Sequence, residues 1–227
     1  MSERGKMVEF DAEDGKVQGY LVEPSGNEAR PGLIVIHEWW GLNDHIKSIA
    51  ERFAGEGYTV LAPDLYNGKV TKDAEEAGGL MQGLDQDQAL EALNGAVEFL
   101  KSRERVKSDA IGVTGFCMGG TFALLLACRN KGVKASAPFY GDVPSDDVLK
   151  NLSAPVLFIG AENDPWITQQ KMDRLEGALA KFNKEGEVKV YAGTGHAFFN
   201  DTRPDAYNEE AAQDAWARVN QFLAEKL

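Results

Sequence analysis

Cys117 lies in Gly115-Phe116-Cys117-Met118-Gly119, a G-x-C-x-G pattern between a strand-like and a helix-like stretch. A nucleophile at a sharp strand-to-helix turn is presented at the sheet edge, and flanking glycines avoid collisions with neighbouring backbone. The helix N-terminus that follows favours a thiolate. A small buried cysteine in a glycine-rich turn fits the same pentapeptide, but the strand–turn–helix context favours the nucleophile. A thiol nucleophile needs a base, and the chain has three histidines. His196 sits in Gly193-Thr194-Gly195-His196-Ala197, a loop of small residues after a strand ending near Tyr191, and is the expected base. His45 reads as an exposed first-turn helix residue, and His37 ends a strand on a face the sequence leaves open.

Asp164, in Ala161-Glu162-Asn163-Asp164-Pro165, follows another strand and completes the order nucleophile, acid, histidine. It would hold the imidazole tautomer and stabilise the imidazolium. An aspartate before proline also suits a helix N-cap, and Glu162 is a rival acid on the same loop. Glu38, in His37-Glu38-Trp39-Trp40-Gly41, ends a further strand, as either a site carboxylate or half of a surface ion pair. His37-Glu38 is not followed by a histidine three residues later, so the zinc-protease pattern is missing. No His/Cys cluster has metal-ligand spacing. No cofactor is expected.

These residues need a frame that brings strand ends together. Segments 8–10 and 17–22 read as a hairpin around Asp14-Gly15. Residues 33–36 form a short continuous apolar run, typical of a strand buried on both faces. A helix over 46–53 follows, begun by Asn43 or Asp44 and stopped near Gly55 and Gly57. Further strands are expected at 58–62, 110–114, 133–139, 155–160 and 187–191, and helices at 86–101, 121–128, 169–182 and 206–223. Residues between the fourth strand and position 86 read as a polar connection. The alternation predicts an α/β fold: a mostly parallel sheet of about eight strands, helices on both faces, right-handed crossovers. Ligands on such sheets bind at the carboxyl ends of the strands, where Glu38, Cys117, Asp164 and His196 all fall.

The combination of 37–43, Pro63-Asp64-Leu65-Tyr66, Gly115 to Gly120 and Gly195-His196-Ala197-Phe198 resembles the dienelactone hydrolase family, over nearly the whole chain. The resemblance implies an α/β-hydrolase fold and hydrolysis of cyclic enol-lactones, in particular carboxymethylenebutenolide, during breakdown of aromatic compounds. It implies that Glu38 holds the resting thiol and helps to deprotonate it, and that the backbone N–H groups of Trp39 and Met118 form the oxyanion hole. Two departures concern the substrate. Members of the family grip a substrate carboxylate with two arginines, yet residues 70–100 contain none, and Lys72 is their only basic residue. Four residues past the histidine stands Asn200, with Arg203 nearby but out of register.

The expectation is one α/β-hydrolase domain over residues 1–227, without an inserted lid domain, since only 141–154 separates the two late strands. Cys117, His196, Asp164 and Glu38 carry the chemistry; Trp40, Phe116, Tyr140, Phe198 and Arg203 bound a small pocket. The partner is a small ester or lactone. A broader carboxylesterase or thioesterase is the alternative, and a non-catalytic binding protein a weaker one. A thiol redox protein lacks its C-x-x-C motif, and Cys128 reads as core. Of 227 residues 43% are hydrophobic, and the net charge is −12, which repels nucleic acid and anionic membranes. No apolar run reaches spanning length, two cysteines make no disulfide framework, and the N-terminal residues 1–6 are polar. A cytoplasmic monomer or small homo-oligomer is expected.

Overall fold

The computed structural model describes residues 5–227; most of the polar N-terminal stretch read above, residues 1–4, lies outside the described residues. The elements in chain order are β1 (Lys6–Ala12), β2 (Gly15–Val22), β3 (Arg30–Ile36), α1 (Asp44–Gly55), β4 (Thr59–Pro63), α2 (Ala74–Gly83), α3 (Gln86–Lys101), β5 (Val106–Phe116), α4 (Met118–Arg129), β6 (Val133–Phe139), α5 (Asp146–Leu149), β7 (Val156–Ala161), α6 (Gln169–Lys181), β8 (Gly186–Tyr191) and α7 (Glu209–Lys226). All eight strands join one sheet in the order β1-β2-β4-β3-β5-β6-β7-β8. Only β2 runs against its neighbours; from β4 to β8 every pairing is parallel.

The pleat explains why the central strands read as unbroken apolar runs. In β3, Ile34 and Ile36 enter one core with α3, α4 and α6, while Leu33 and Val35 enter a second with α1 and α7. In β7, Val156 and Phe158 face the first core, and Leu157, Ile159 and Ala161 the second. A strand covered on both sides has no face for polar residues. Each of residues 33–36 is fully buried, which contributes roughly 1.5–3 kcal/mol per side chain. The sheet is thereby clamped between two layers, and its carboxyl edge becomes a rigid rim.

Several boundaries differ from the sequence reading. The hairpin turn is Glu13-Asp14, and Gly15 already opens β2 opposite Ala12 at φ +130°. Asn43 rather than Asp44 caps α1, its side chain accepting from the Ile46 N–H at 3.1 Å. The polar connection holds α2, capped by Asp73. Gly78, Gly79 and Gly83 hide this helix in sequence, and it buries only Ala77. A second short helix, α5, lies between β6 and β7. Among the described residues no helix is long and apolar enough to cross a membrane.

Candidate active site

The backbone of the strand ends determines where each side chain can point. After β5 the chain reverses at Cys117, which adopts φ +56°, ψ −119°. Such a conformation costs a non-glycine residue on the order of 1–3 kcal/mol and persists only where its surroundings over-determine it. Here the Cys117 N–H donates to Phe139 O at 3.1 Å and its carbonyl accepts from the Thr121 N–H at 3.2 Å. A Cβ on Gly119 would strike the carbonyl oxygens of Ile36 and His37, and one on Gly120 that of Phe139. The glycines let α4 start directly against the ends of β3 and β6. Met118 is the first residue of α4, where backbone N–H groups lack an intrahelical acceptor.

Five strand ends converge. Glu38, Trp39 and Trp40 follow β3, Cys117 follows β5, Tyr140 follows β6, Pro165 to Ile167 follow β7, and His196, Ala197 and Arg203 follow β8. Together with Met81, Met118, Thr121, Asp142 and Lys171, these line a cavity of roughly 520 Å³. Two more of its residues, Tyr140 and Ala197, also have positive φ, at +36° and +64°. Trp39 and Trp40 meet edge-to-face at 4.8 Å. Phe116 and Phe198 do not reach the cavity, contrary to the sequence reading. Both are buried behind it, Phe116 stacked on Phe199 at 5.2 Å and Phe198 packed against Tyr140 and Tyr191. Phe116, the last residue of β5, points into the core before the chain reverses at Cys117, and Phe198 turns inward from the loop after β8.

His196 Nδ1 lies 2.6 Å from Asp164 Oδ2. The other oxygen of Asp164 accepts the Trp166 and Ile167 N–H groups, both at 2.9 Å. The aspartate therefore serves as turn acceptor and imidazole partner at once, while α6 begins later, capped at Thr168. Burial pushes the Asp164 pKa up, but the hydrogen bonds from His196 and the two amides leave it below the usual carboxylate range. Glu162 instead accepts from the Gly193 N–H at the exposed loop surface.

His196 Nε2 is buried without a hydrogen-bond partner of ordinary geometry, yet Cys117 stands close enough to raise its proton affinity. Burial alone would lower the His196 pKa; Asp164 and Cys117 together drive it up to about 9. The arrangement is a thiol, an imidazole and a carboxylate in series, able to form a thiolate–imidazolium pair. Tyr140 adds a buried hydroxyl with no partner among the described residues, its pKa held well above the usual phenol value by burial and by the nearby Glu38, Cys117 and Asp164.

Glu38 is 1% exposed, so the surface ion-pair reading fails. Burial pushes its pKa up to about 7 against the opposing pull of the Asn200 hydrogen bond, His196 and Arg203. His37 turns inward and holds the Glu38 backbone: with Leu65 N–H donating to Nε2 at 3.1 Å, Nδ1–H is left to donate to Glu38 O at 2.6 Å. That pairing fixes a neutral tautomer, and burial lowers its pKa despite the Glu38 carbonyl. His45 is buried, not exposed, because the first turn of α1 packs on the loop after β8; its Nδ1 lies 3.2 Å from Asp201 Oδ1. Cys128 is core, with burial pushing its thiol up to about 12.

Of the cavity residues that escaped the sequence reading, three bear on its chemistry. Trp166, 61% exposed, meets the His196 ring edge-to-face at 4.9 Å; an aromatic two residues after the candidate acid was the available signal. Lys171 enters from α6, paired with Asp142 at 2.7 Å, and Met81 from the unrecognised α2. Arg203 does line the cavity although it is out of register, while its guanidinium binds Asp205 at 2.7 Å. Among the described residues no group of His, Cys, Asp and Glu is arranged to hold a metal.

Comparison with known proteins places the chain in a family and a fold. The model of the dienelactone hydrolase family matches residues 17–227. A protein of Aquifex pyrophilus named usf is 38% identical, the match spanning 98% of this chain and 99% of that protein. An Aquifex aeolicus protein provisionally named carboxymethylenebutenolidase is 36% identical over 96% of this chain and 97% of its own. A Klebsiella pneumoniae crystal structure provisionally named dienelactone hydrolase superposes with a TM-score of 0.91 at 28% identity, covering 97% of this chain and 98% of the other.

Proposed function

This chain belongs to the dienelactone hydrolase family, and from that premise we propose that it hydrolyses its ester or lactone substrate through a Cys117-His196-Asp164 triad and a thioester acyl-enzyme. Cys117 Sγ attacks the carbonyl carbon as a thiolate. The tetrahedral oxyanion forms beside the N–H groups of Trp39 and Met118, where such donors are typically worth ~3 kcal/mol each. Collapse breaks the acyl C–O bond, and the leaving oxygen takes the proton of the His196 imidazolium. His196 then removes a proton from water, which attacks the thioester; the acid departs and the thiolate is restored. In a lactone both products stay on one molecule, and the ring opens. At rest His196 already carries its proton beside Asp164. Glu38 takes the thiol proton when substrate displaces the resting arrangement and returns it to the thiolate after the acid has left. The proton given to the leaving oxygen is therefore the one His196 regains from water.

The observation that carries this reading is the relay at His196. One nitrogen is anchored on a carboxylate at 2.6 Å, and the other is buried, unpartnered and beside the only cysteine at the cavity. No cofactor enters the proposal. An enol-lactone of the carboxymethylenebutenolide type fits an apolar cavity that carries Arg203 and Lys171 for a carboxylate. A broader esterase is favoured by one observation, the amide of Asn200 in place of a cation beside Glu38. We also propose a single domain acting in the cytoplasm, as a monomer or small homo-oligomer.

A panel of neutral and anionic esters and lactones, assayed with mass spectrometry of the trapped enzyme, tests the proposal. An acyl adduct on Cys117, lost together with turnover in Cys117→Ala, is expected. Turnover retained in Cys117→Ala would overturn the mechanism, and a preference for neutral aryl esters would select the broader esterase.

A further inference from the structure

Among the described residues one side-chain donor reaches the Glu38 carboxylate, and that donor is itself fixed. Asn200 Nδ2 donates to Glu38 Oε2 at 2.7 Å across 162 positions of chain. The amide cannot turn round freely, because its Oδ1 accepts both the Thr202 N–H at 3.0 Å and the Thr202 hydroxyl at 2.7 Å. Asn200 is 2% exposed, and its backbone closes the loop through its N–H to Ala197 O and its carbonyl from the Arg203 N–H. Two donors on Oδ1 leave only the NH₂ side to face Glu38.

We propose that Asn200 is a positioning residue for Glu38: Thr202 orients its amide so that a neutral donor grips one carboxylate oxygen and leaves the carboxyl able to exchange a proton with the Cys117 thiol. The inference rests on the role given to Glu38 above. A cation in this place would lower the proton affinity of Glu38. An amide holds either protonation state, since Oε2 accepts in both while the proton rides on Oε1. The remaining charges facing Glu38 are those of His196 and Arg203, from the same loop, and the cavity also brings Cys117 from the elbow and the Tyr140 hydroxyl from the end of β6. His37, adjacent in the chain, is held neutral. With a neutral partner, burial dominates and Glu38 titrates near neutral pH, where a group that both takes and returns a proton works best.

The test is the pH dependence of Cys117 alkylation by iodoacetamide, measured beside kcat/KM for p-nitrophenyl acetate. The variants are Asn200→Asp and Thr202→Val, each alone and combined with Glu38→Gln. Asn200→Asp keeps the shape and adds a like charge, so the lower midpoint of the alkylation profile should rise by at least one pH unit. That rise should vanish in the Glu38→Gln background. Thr202→Val should lower kcat/KM several-fold, and less than additively with Glu38→Gln. An Asn200→Asp shift of equal size with and without Glu38, or no shift at all, would overturn the proposal. If Asn200→Asp does not fold, the Thr202→Val and Glu38→Gln cycle decides: coupling supports the proposal, additivity overturns it. A chain that hydrolyses no ester yet keeps the Glu38-dependent alkylation shift would defeat the triad reading and leave this one standing.

Discussion

At the scale of single residues, the two acids after β7 separate cleanly once their backbone is known. Asp164 is sunk under the imidazole and accepts from two amides and His196, whereas Glu162 accepts one loop N–H in the open. Asp164→Asn leaves the shape but favours the wrong imidazole tautomer, so kcat should fall by about 10⁴-fold, as in other triads. Glu162→Gln should stay within a few-fold of the parent. Steady-state kinetics on an activated ester ranks the two, and the reverse ranking would move the acid. The sequence could place both carboxylates on one loop and order them before His196, but their directions depend on a turn three residues long. The same limit explains His45: a first-turn histidine looks exposed until the β8–α7 loop, distant in sequence, closes over it.

At the scale of elements, glycine means opposite things at α4 and α2. In the elbow, Gly119 marks close contact, and Gly119→Ala would push α4 off the end of β3. A loss of about 1–3 kcal/mol is expected from such overpacking, along with reduced turnover because Cys117 moves with the helix. In α2, a Cβ on Gly79 meets nothing, so Gly79→Ala should stabilise by roughly 0.5–1 kcal/mol. Urea unfolding of the two variants side by side reads both signs. This contrast also accounts for what was legible: β3, β6 and α3 announce themselves by apolar runs or period, and the elbow by its context. Helix α2 does not, because three glycines and a single buried residue leave it neither propensity nor a stripe. The aromatic assignments failed for a related reason. Phe116 and Phe198 sit next to site residues in sequence, but Cys117 and Ala197 both have positive φ, so the turns after β5 and β8 rather than a regular alternation decide which neighbour faces the cleft.

At the scale of the whole molecule, stability carries the imprint of Glu38. Its folded pKa of about 7 lies above the ordinary 4.5, so the folded chain holds a proton that the unfolded chain releases between those values. Stability contributed at this position is therefore full below pH 4.5 and falls as pH rises towards 7, after which the cost is constant. Glu38→Gln removes the ionisation while keeping an acceptor for Asn200. Relative to the parent it should gain up to about 3 kcal/mol at pH 8, and little at pH 5. Chemical denaturation at the two pH values measures this; an equal effect at both would mean that Glu38 is already charged throughout. The parent fold thus tolerates a carboxyl that its own core disfavours, as expected where chemistry rather than packing sets the residue.

The convergence of five strand ends has a consequence for how the chain comes to be active. Glu38 and His196 are separated by most of the sequence, and the last of these groups arrives only when β8 has added to the far edge of β7. A growing or partly renatured chain with β3 to β6 in place owns the turn that holds Cys117, but not the imidazole of His196. Catalytic competence is therefore a property of the finished topology, which no fragment ending before β8 possesses.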